Sequence, residues 1–328
     1  MNNLSTTYMG LHLRNPIIAG SSGLTNSLDN IIKLEEAGVG AIVLKSLFEE
    51  QISNSINKTM SQDENTNAYP EALDYISHYT REQDLDRYLQ LIRDAKKKVK
   101  IPIIASINCV SSAEWVSFAK KIQDAGADAL ELNIFILPSD PRRKSDQTEQ
   151  LYFEIIQNVL KQVSIPVAVK ISYYFSGFAN FVLQLSWTGI SGLVLFNRFY
   201  SPDIDIENFD IVSTNVFSSP AEMTLPLRWV AMLSKRIQCD VAASTGIHEG
   251  SAVIKQLLAG AKAVQVASVL YKEGFGKIGV MLDEIDQWMT RQDFSNVDDF
   301  IGMLSFREDK SMAGYERVQF MKHFSGIE

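Results

Sequence analysis

Eight short apolar runs punctuate the chain, at residues 16–21, 41–46, 102–107, 129–134, 166–171, 192–197, 240–246 and 263–269. Each is rich in Val, Ile, Leu or Ala and lacks clean period-two alternation, the pattern of a parallel strand covered on both faces. Longer amphipathic segments separate the runs. Residues 28–37 predict a helix stopped by Gly38. Residues 113–125 predict one that follows Ser111 and Ser112 and stops at Gly126, and residues 249–259 one that stops at Gly260. The phrases EEAGVGAIVLKS, QDAGADALELN and LLAGAKAVQVAS share one shape, a helix end, Ala-Gly, a small turn and a strand, which marks a serial βα unit.

Eight such units predict an α/β protein, a closed (β/α)8 TIM barrel with long loops at its C-terminal face and a helical C-terminal extension. The whole chain, 1–328, reads as a single domain, with the barrel over about residues 11–290 and the extension over 291–328. Two stretches exceed simple βα loops: residues 48–81, polar and rich in Asn and Ser, and residues 198–219. Both follow strands, so both are expected as loops on the face where barrel enzymes build their sites.

Composition narrows the function. Of 328 residues, 46% are hydrophobic and 21% charged, enough apolar content for a large core. The net charge of −8, from 31 basic and 39 acidic residues, argues against nucleic acid as a partner. Lys96, Lys97 and Lys98 end a predicted helix, where the helix dipole favours cations. Cys109 and Cys239 lie far apart, and the four histidines (His12, His78, His248, His323) form no metal-binding pair. No apolar run is long enough to span a membrane and the N-terminus has no signal-peptide pattern, so a soluble cytoplasmic protein is expected.

The strand ends carry the candidate chemistry. They read Gly20-Ser21-Ser22-Gly23, Lys45-Ser46, Ser106-Ile107-Asn108-Cys109, Glu131-Leu132-Asn133, Lys170, Asn197, Ser244-Thr245-Gly246 and Ala267-Ser268. Two lysines, each last in an apolar strand, call for an anionic or electron-rich ligand, because an unpaired buried ammonium is costly. The small residues ending strands 7 and 8 let backbone N–H groups approach a ligand closely. The segments from Glu249 and from Lys272 are expected to begin helices there, a phosphate-binding arrangement.

The segments NPIIAGSSG, GAIVLKS, ADALELN, IPVAVKI, STGI and LLAGAKAVQVASVLYKEG resemble the dihydroorotate dehydrogenase family, class 1 above all, in order from about Leu11 to Met289. The resemblance implies FMN in the barrel and oxidation of a CH–CH bond, in the family dihydroorotate to orotate in pyrimidine biosynthesis. It places Ser22, Gly23, Lys45, Asn133 and Lys170 around the flavin ring and ribityl chain, with Gly246, Ala267 and Ser268 at the phosphate. Lys45 and Lys170 would be the catalytic pair, Lys170 stabilising the reduced flavin. Asn65, Asn133 and Asn197 would hold the substrate.

The departures are as informative. The family's N-x-S-C-P-N loop is here Asn133-Ile134-Phe135-Ile136-Leu137-Pro138-Ser139, so Ile136 stands where the catalytic Cys or Ser base belongs. The following asparagine is replaced by Pro138 or Ser139, and the glycine-rich stretch after strand 6 by Phe217-Ser218-Ser219-Pro220. The expectation is therefore altered or lost dihydroorotate activity. Cys109, Ser139, Tyr173 and Tyr174 are the groups able in principle to replace the base, and Phe135, Phe175 and Phe199 are expected to pack the pocket. Two other readings stay open: a non-catalytic FMN-binding protein acting in a complex, and a flavin-free lyase with a Schiff base on Lys170. Class 1 relatives imply a homodimer. Without a cysteine cluster, an iron–sulfur electron-transfer centre would have to sit on another chain.

Overall fold

The computed structural model describes residues 2–48, 70–108, 112–198, 201–214, 216–307 and Tyr315. Its strands are β1 (Thr6–Tyr8), β2 (Leu11–Leu13), β3 (Ile17–Ala19), β4 (Ala41–Val43), β5 (Leu47–Phe48), β6 (Ile103–Asn108), β7 (Ala129–Asn133), β8 (Val167–Ile171), β9 (Gly192–Leu195), β10 (Ser201–Asp205), β11 (Asp210–Thr214), β12 (Asp240–Ser244) and β13 (Ala263–Val266). Its helices are α1 (Leu28–Glu36), α2 (Pro70–Lys98), α3 (Ser112–Asp124), α4 (Ser145–Leu160), α5 (Phe178–Ser186), α6 (Thr224–Leu233), α7 (Gly250–Ala259), α8 (Ser268–Glu273) and α9 (Lys277–Arg291). The eight parallel strands β3-β4-β6-β7-β8-β9-β12-β13 close on themselves through β13 and β3. This is the (β/α)8 barrel expected from the eight apolar runs. β5 continues the path of β4 and pairs the top of β6.

The strands read as continuous apolar runs because each is buried on both sides. Ile18, Ala41, Ile104, Ala129, Ala168, Val194, Ala242 and Ala263 form one small cluster within the barrel. The β1–β2 hairpin closes this cluster from below with Tyr8, Met9 and Leu13. Gly192 makes room for the plug, since a Cβ there would lie 2.8 Å from Met9 Cγ. Residues two further along each strand's direction share its face, so Lys45 (two beyond Val43, also in the cluster), Ser106, Glu131, Lys170, Ser244 and Gln265 form the next layer up. The barrel interior is apolar at its floor and polar at its C-terminal end.

The alternate strand positions pack outward against the helices. α9 presents Ile278, Met281, Ile285 and Met289, all buried, at the three- and four-residue spacing of one helix face. Aromatic side chains fill the gap beside α4 and α5, where Phe175 stacks on Phe181 at 4.1 Å and meets Tyr152 edge-on at 5.3 Å. Phe175 thus belongs to the outer layer and not to the pocket expected for it, because the turn after β8 swings it over the helices. Phe135 is exposed, and Phe199 lies outside the described residues.

Three sequence expectations are corrected. The polar stretch 48–81 is not loop throughout: its last part, from Pro70, is the start of α2, whose low apolar content hid it. The segment 198–219 contains the antiparallel hairpin β10–β11, with Ile204 opposite Ile211. The helix expected from Lys272 begins four residues earlier, at Ser268, immediately at the end of β13. After α9, the described part of the extension forms a 3-10 turn (Val297–Asp299) that buries Phe300 and bridges Asn296 to Asn3.

Candidate functional site

The polar layer opens into a cavity of about 340 Å³ at the C-terminal face. Among the residues expected at the site, Ser22, Gly23, Lys45, Asn133, Lys170, Asn197, Gly246, Ala267 and Ser268 all line it. They come from loops and strands spread over most of the chain, and barrel closure alone brings them together. Ile136 is half-buried and packs against the outer core, its backbone N–H donating to the Tyr152 hydroxyl at 3.3 Å. It is not among the residues lining the cavity. Asn65 and Cys109 lie outside the described residues.

The floor of the cavity is a hydrogen-bonded set. Lys170 Nζ donates to Gln265 Oε1 at 2.8 Å and lies 4.0 Å from Glu131 Oε1, while Gln265 Nε2 donates to Glu131 Oε2. On the β4 side, the hydroxyls of Ser21, Ser46 and Ser106 form a chain with spacings of 3.1 and 2.7 Å. Tyr88 from α2 anchors Ser106, donating to its carbonyl at 3.0 Å and accepting its N–H at 2.8 Å. Asn197 braces β8 by donating to the Lys170 carbonyl at 3.3 Å. Asn133 Oδ1 is buried with no hydrogen-bond partner among the described residues, an acceptor presented at the cavity wall.

The opposite end is built from the segment after β11. Arg198 Nε donates to Glu222 Oε2 at 2.9 Å, and its Nη1 donates to the Val216 carbonyl at 2.8 Å. Partial burial opposes ionisation of Glu222, but Arg198 and the Ser219 N–H outweigh it and hold the carboxyl below its usual range. Ser218, which lines the cavity, is held from three sides. Its N–H donates to Ser268 Oγ at 3.0 Å, its carbonyl accepts from Lys272 Nζ at 2.9 Å, and its hydroxyl meets His248 Nε2 at 3.1 Å. Burial, then Lys272, keep His248 below the ordinary histidine range. The Phe-Ser-Ser-Pro segment therefore takes a defined place in the cavity wall although its glycines are gone.

Sequence reasoning missed Gln265, Arg198, His248 and Lys272 here. Gln265 sits inside an apolar run and gave no terminal signal. The others lie just beyond the named strand ends, but their partners, Glu222 and Ser218, come from a segment distant in sequence.

Tight backbone geometry shapes the end near β12. Thr245 and Gly246 take left-handed conformations, φ 81° and 75°. A Cβ on Gly246 would stand 2.3 Å from the Met223 nitrogen. Gly246→Ala is expected to lower the unfolding free energy by about 3 kcal/mol, combining a left-handed penalty with overpacking. Urea unfolding reads this against Gly276→Ala, where a Cβ meets nothing within 4 Å. Gly23 is constrained by a side chain, its Cβ position lying 2.7 Å from the Tyr271 hydroxyl.

Two of the groups named as able to replace a base, Tyr173 and Ser139, are poorly suited. The hydrogen bond to Tyr174, with burial, pushes the Tyr173 hydroxyl up to about 12. Ser139 is exposed on the loop after β7. Elsewhere, burial pushes the Cys239 thiol up to about 12, as befits an inert thiol. No group of His, Cys, Asp and Glu able to hold a metal occurs among the described residues, and no helix there is long and apolar enough to cross a membrane.

Comparison with known proteins agrees with this geometry. The family profile for dihydroorotate dehydrogenase matches residues 3–289. The chain is 26% identical to a protein of Thermoplasma acidophilum named dihydroorotate dehydrogenase B (NAD(+)), catalytic subunit, covering 92% of this chain and 99% of the relative. A protein of the same name from Methanocaldococcus jannaschii is 25% identical, over 92% of this chain and 97% of the relative. The NAD-dependent dihydropyrimidine dehydrogenase subunit PreA of Escherichia coli K12 is 23% identical, over 97% of this chain and 82% of the relative. A profile match across most of the chain, on a closed barrel whose strand ends meet at one cavity, shows that this protein belongs to the dihydroorotate dehydrogenase family.

Proposed function

We propose that the cavity holds FMN and that the protein is an oxidoreductase acting on a CH–CH bond of a small ring substrate, with dihydroorotate itself turned over weakly or not at all. The observation that carries this reading is the meeting of Lys45, Lys170 and the unpartnered Asn133 acceptor with the glycine-lined backbone of Gly20, Gly23 and Gly246 around one cavity. The residues fit a flavin nucleotide. Gly23 and Gly246 line the cavity with bare backbone, packed from behind by Tyr271 and Met223, and Lys45 and Lys170 supply two cations that an electron-rich ring would meet. The cavity volume, about 340 Å³, falls in the range of ordinary ligand sites.

FMN, when bound, supplies the redox chemistry of substrate oxidation. The chain's own residues supply the rest. Lys170 brings positive charge from the floor, Asn133 and Asn197 offer amides to a polar ring, and the Ser218–Ser268 wall bounds the end away from the lysines. Lys170 is hydrogen-bonded to Gln265 and lies 4.0 Å from Glu131, contacts that a Schiff-base lysine would have to give up. The PreA-named relative supports a reduced pyrimidine as substrate class alongside dihydroorotate. The relatives named as subunits support an electron-transfer partner on a separate chain, and a homodimer is proposed on the class 1 likeness.

The test is anaerobic titration of the purified protein with candidate reductants, dihydroorotate and dihydropyrimidines among them, while following flavin absorbance. A yellow protein that releases FMN on denaturation and is bleached by one of them supports oxidoreductase function. A yellow protein bleached by none favours an FMN-binding role without catalysis, and a colourless one removes the cofactor. Lys170→Met is expected to lower the flavin potential by tens of millivolts, since about 1.4 kcal/mol moves a two-electron couple by about 30 mV. Redox titration against indicator dyes reads this shift, and an unchanged potential in a folded, FMN-loaded variant defeats it.

A further inference from the structure

Within the polar layer beneath the cavity, one carboxylate, one ammonium and one amide form a single hydrogen-bonded set. Glu131, Gln265 and Lys170 are 1%, 3% and 9% exposed, so none is solvated in the ordinary way. Glu131 and Lys170 stand on adjacent strands, but their charged atoms stop at 4.0 Å. Gln265 comes from β13, across the barrel, and joins them. Its Oε1 accepts from Lys170 Nζ at 2.8 Å, and its Nε2 donates to Glu131 Oε2. An amide has one acceptor end and one donor end, so only this orientation satisfies both charges. Glu131 Oε1 has no hydrogen-bond partner among the described residues and faces the ammonium through space.

We propose that Glu131 and Gln265 are positioning residues for Lys170, holding it as a protonated ammonium aimed at the cavity. The proposal rests on the reading of the cavity as a site for an electron-rich ligand, which gives that charge its use. The physical need is independent of that ligand. A buried ammonium without a counter-charge sheds its proton, and a buried carboxylate without one gains a proton. The other titratable groups that answer Glu131 are the Tyr8 and Tyr88 hydroxyls. Burial, and then Glu131, push both up, so neither offers a counter-charge, and Lys170 is the cation that stands within 4.0 Å of the carboxylate. The alanines at 129 and 168, two residues below Glu131 and Lys170, offer no competing polar atom. Lys170 spends one of its three N–H bonds on Gln265, which orients the ammonium without exhausting it.

The experiment measures the neutral amine directly. The full chain, with excess FMN present, is labelled competitively with a trace of acetic anhydride at pH 8. Acetylation of the peptide carrying Lys170 is read by mass spectrometry against that carrying Lys97, a side chain 72% exposed. FMN content is measured on each preparation. Failure of the cofactor reading then appears as absent flavin, while the labelling remains interpretable.

Native Lys170 is expected to label poorly. Glu131→Gln removes the counter-charge at constant shape and is expected to raise relative labelling about tenfold, with about threefold as the least that supports the proposal. The double variant Glu131→Gln, Gln265→Glu moves the carboxylate beside the ammonium. It should bring labelling back down by at least about threefold, a rescue that loss of packing alone cannot produce. A smaller rise in the single variant, or a smaller return in the double, overturns the proposal. If Glu131→Gln does not yield folded protein, Gln265→Met decides. It removes the bridge and leaves both charges, and the same threefold criterion applies.

Discussion

Ser268→Glu is expected to empty the cavity of FMN. Ser268 stands at the start of α8, lines the cavity, and accepts the Ser218 N–H at 3.0 Å. Glutamate would insert a carboxylate where the proposed phosphate lies and would also displace the Ser218 segment from its anchor. Two like charges about 5 Å apart at an effective dielectric near 20 repel by about 3 kcal/mol, roughly a hundredfold in Kd. Ser268→Ala loses one hydrogen bond and should cost roughly 1 kcal/mol, or less than about tenfold. Flavin released on denaturation, measured across a series of FMN concentrations, separates the two variants. Full occupancy of Ser268→Glu at native FMN concentrations would show that the phosphate lies elsewhere.

Dihydroorotate turnover by the native protein is expected to be negligible even with FMN bound. Loss of a general base costs about 10²–10⁴-fold in rate, and the sequence resemblance puts Ile136 at the position of the family's base. The structure adds a further obstacle. Ile136 packs against the outer core with its N–H held by the Tyr152 hydroxyl, and the neighbouring Ser139 is exposed. Ile136→Cys alone should therefore recover little, since the new thiol starts from a position packed away from the cavity wall. Adding Ser139→Asn should recover more than either change alone, because residues acting as one catalytic unit are non-additive. Steady-state oxidation with an artificial acceptor, on all four forms, reads the outcome. Robust native turnover would refute the missing-base reading and point to Cys109 or Ser139 as a relocated base.

Much of the barrel was legible in the chain itself. The eight apolar runs, the Ala-Gly turns and the helix stops at Gly38, Gly126 and Gly260 are local signals, and all three glycines take the left-handed φ that a helix end requires. Strand ends in a closed barrel must meet at one rim, so Lys45, Asn133, Lys170, Asn197 and Gly246 could be grouped from the sequence. The β1–β2 plug and the β10–β11 hairpin were not legible. The plug strands are too short to show a period, and the hairpin segment has the polar composition of an ordinary loop.

What only the tertiary structure decided is how buried polar atoms pair. Gln265 reads as a blemish in an apolar strand until closure sets it across the barrel from Glu131 and Lys170. Ser218, His248, Ser268 and Lys272 are separated by up to 54 residues and meet only because β12, β13 and the segment after β11 end at the same place. Hydrophobic periodicity records which side of an element is covered, and that is a property of the chain. Hydrogen-bond partnership depends on distances near 3 Å between segments far apart in sequence, and those distances exist only once the fold has formed.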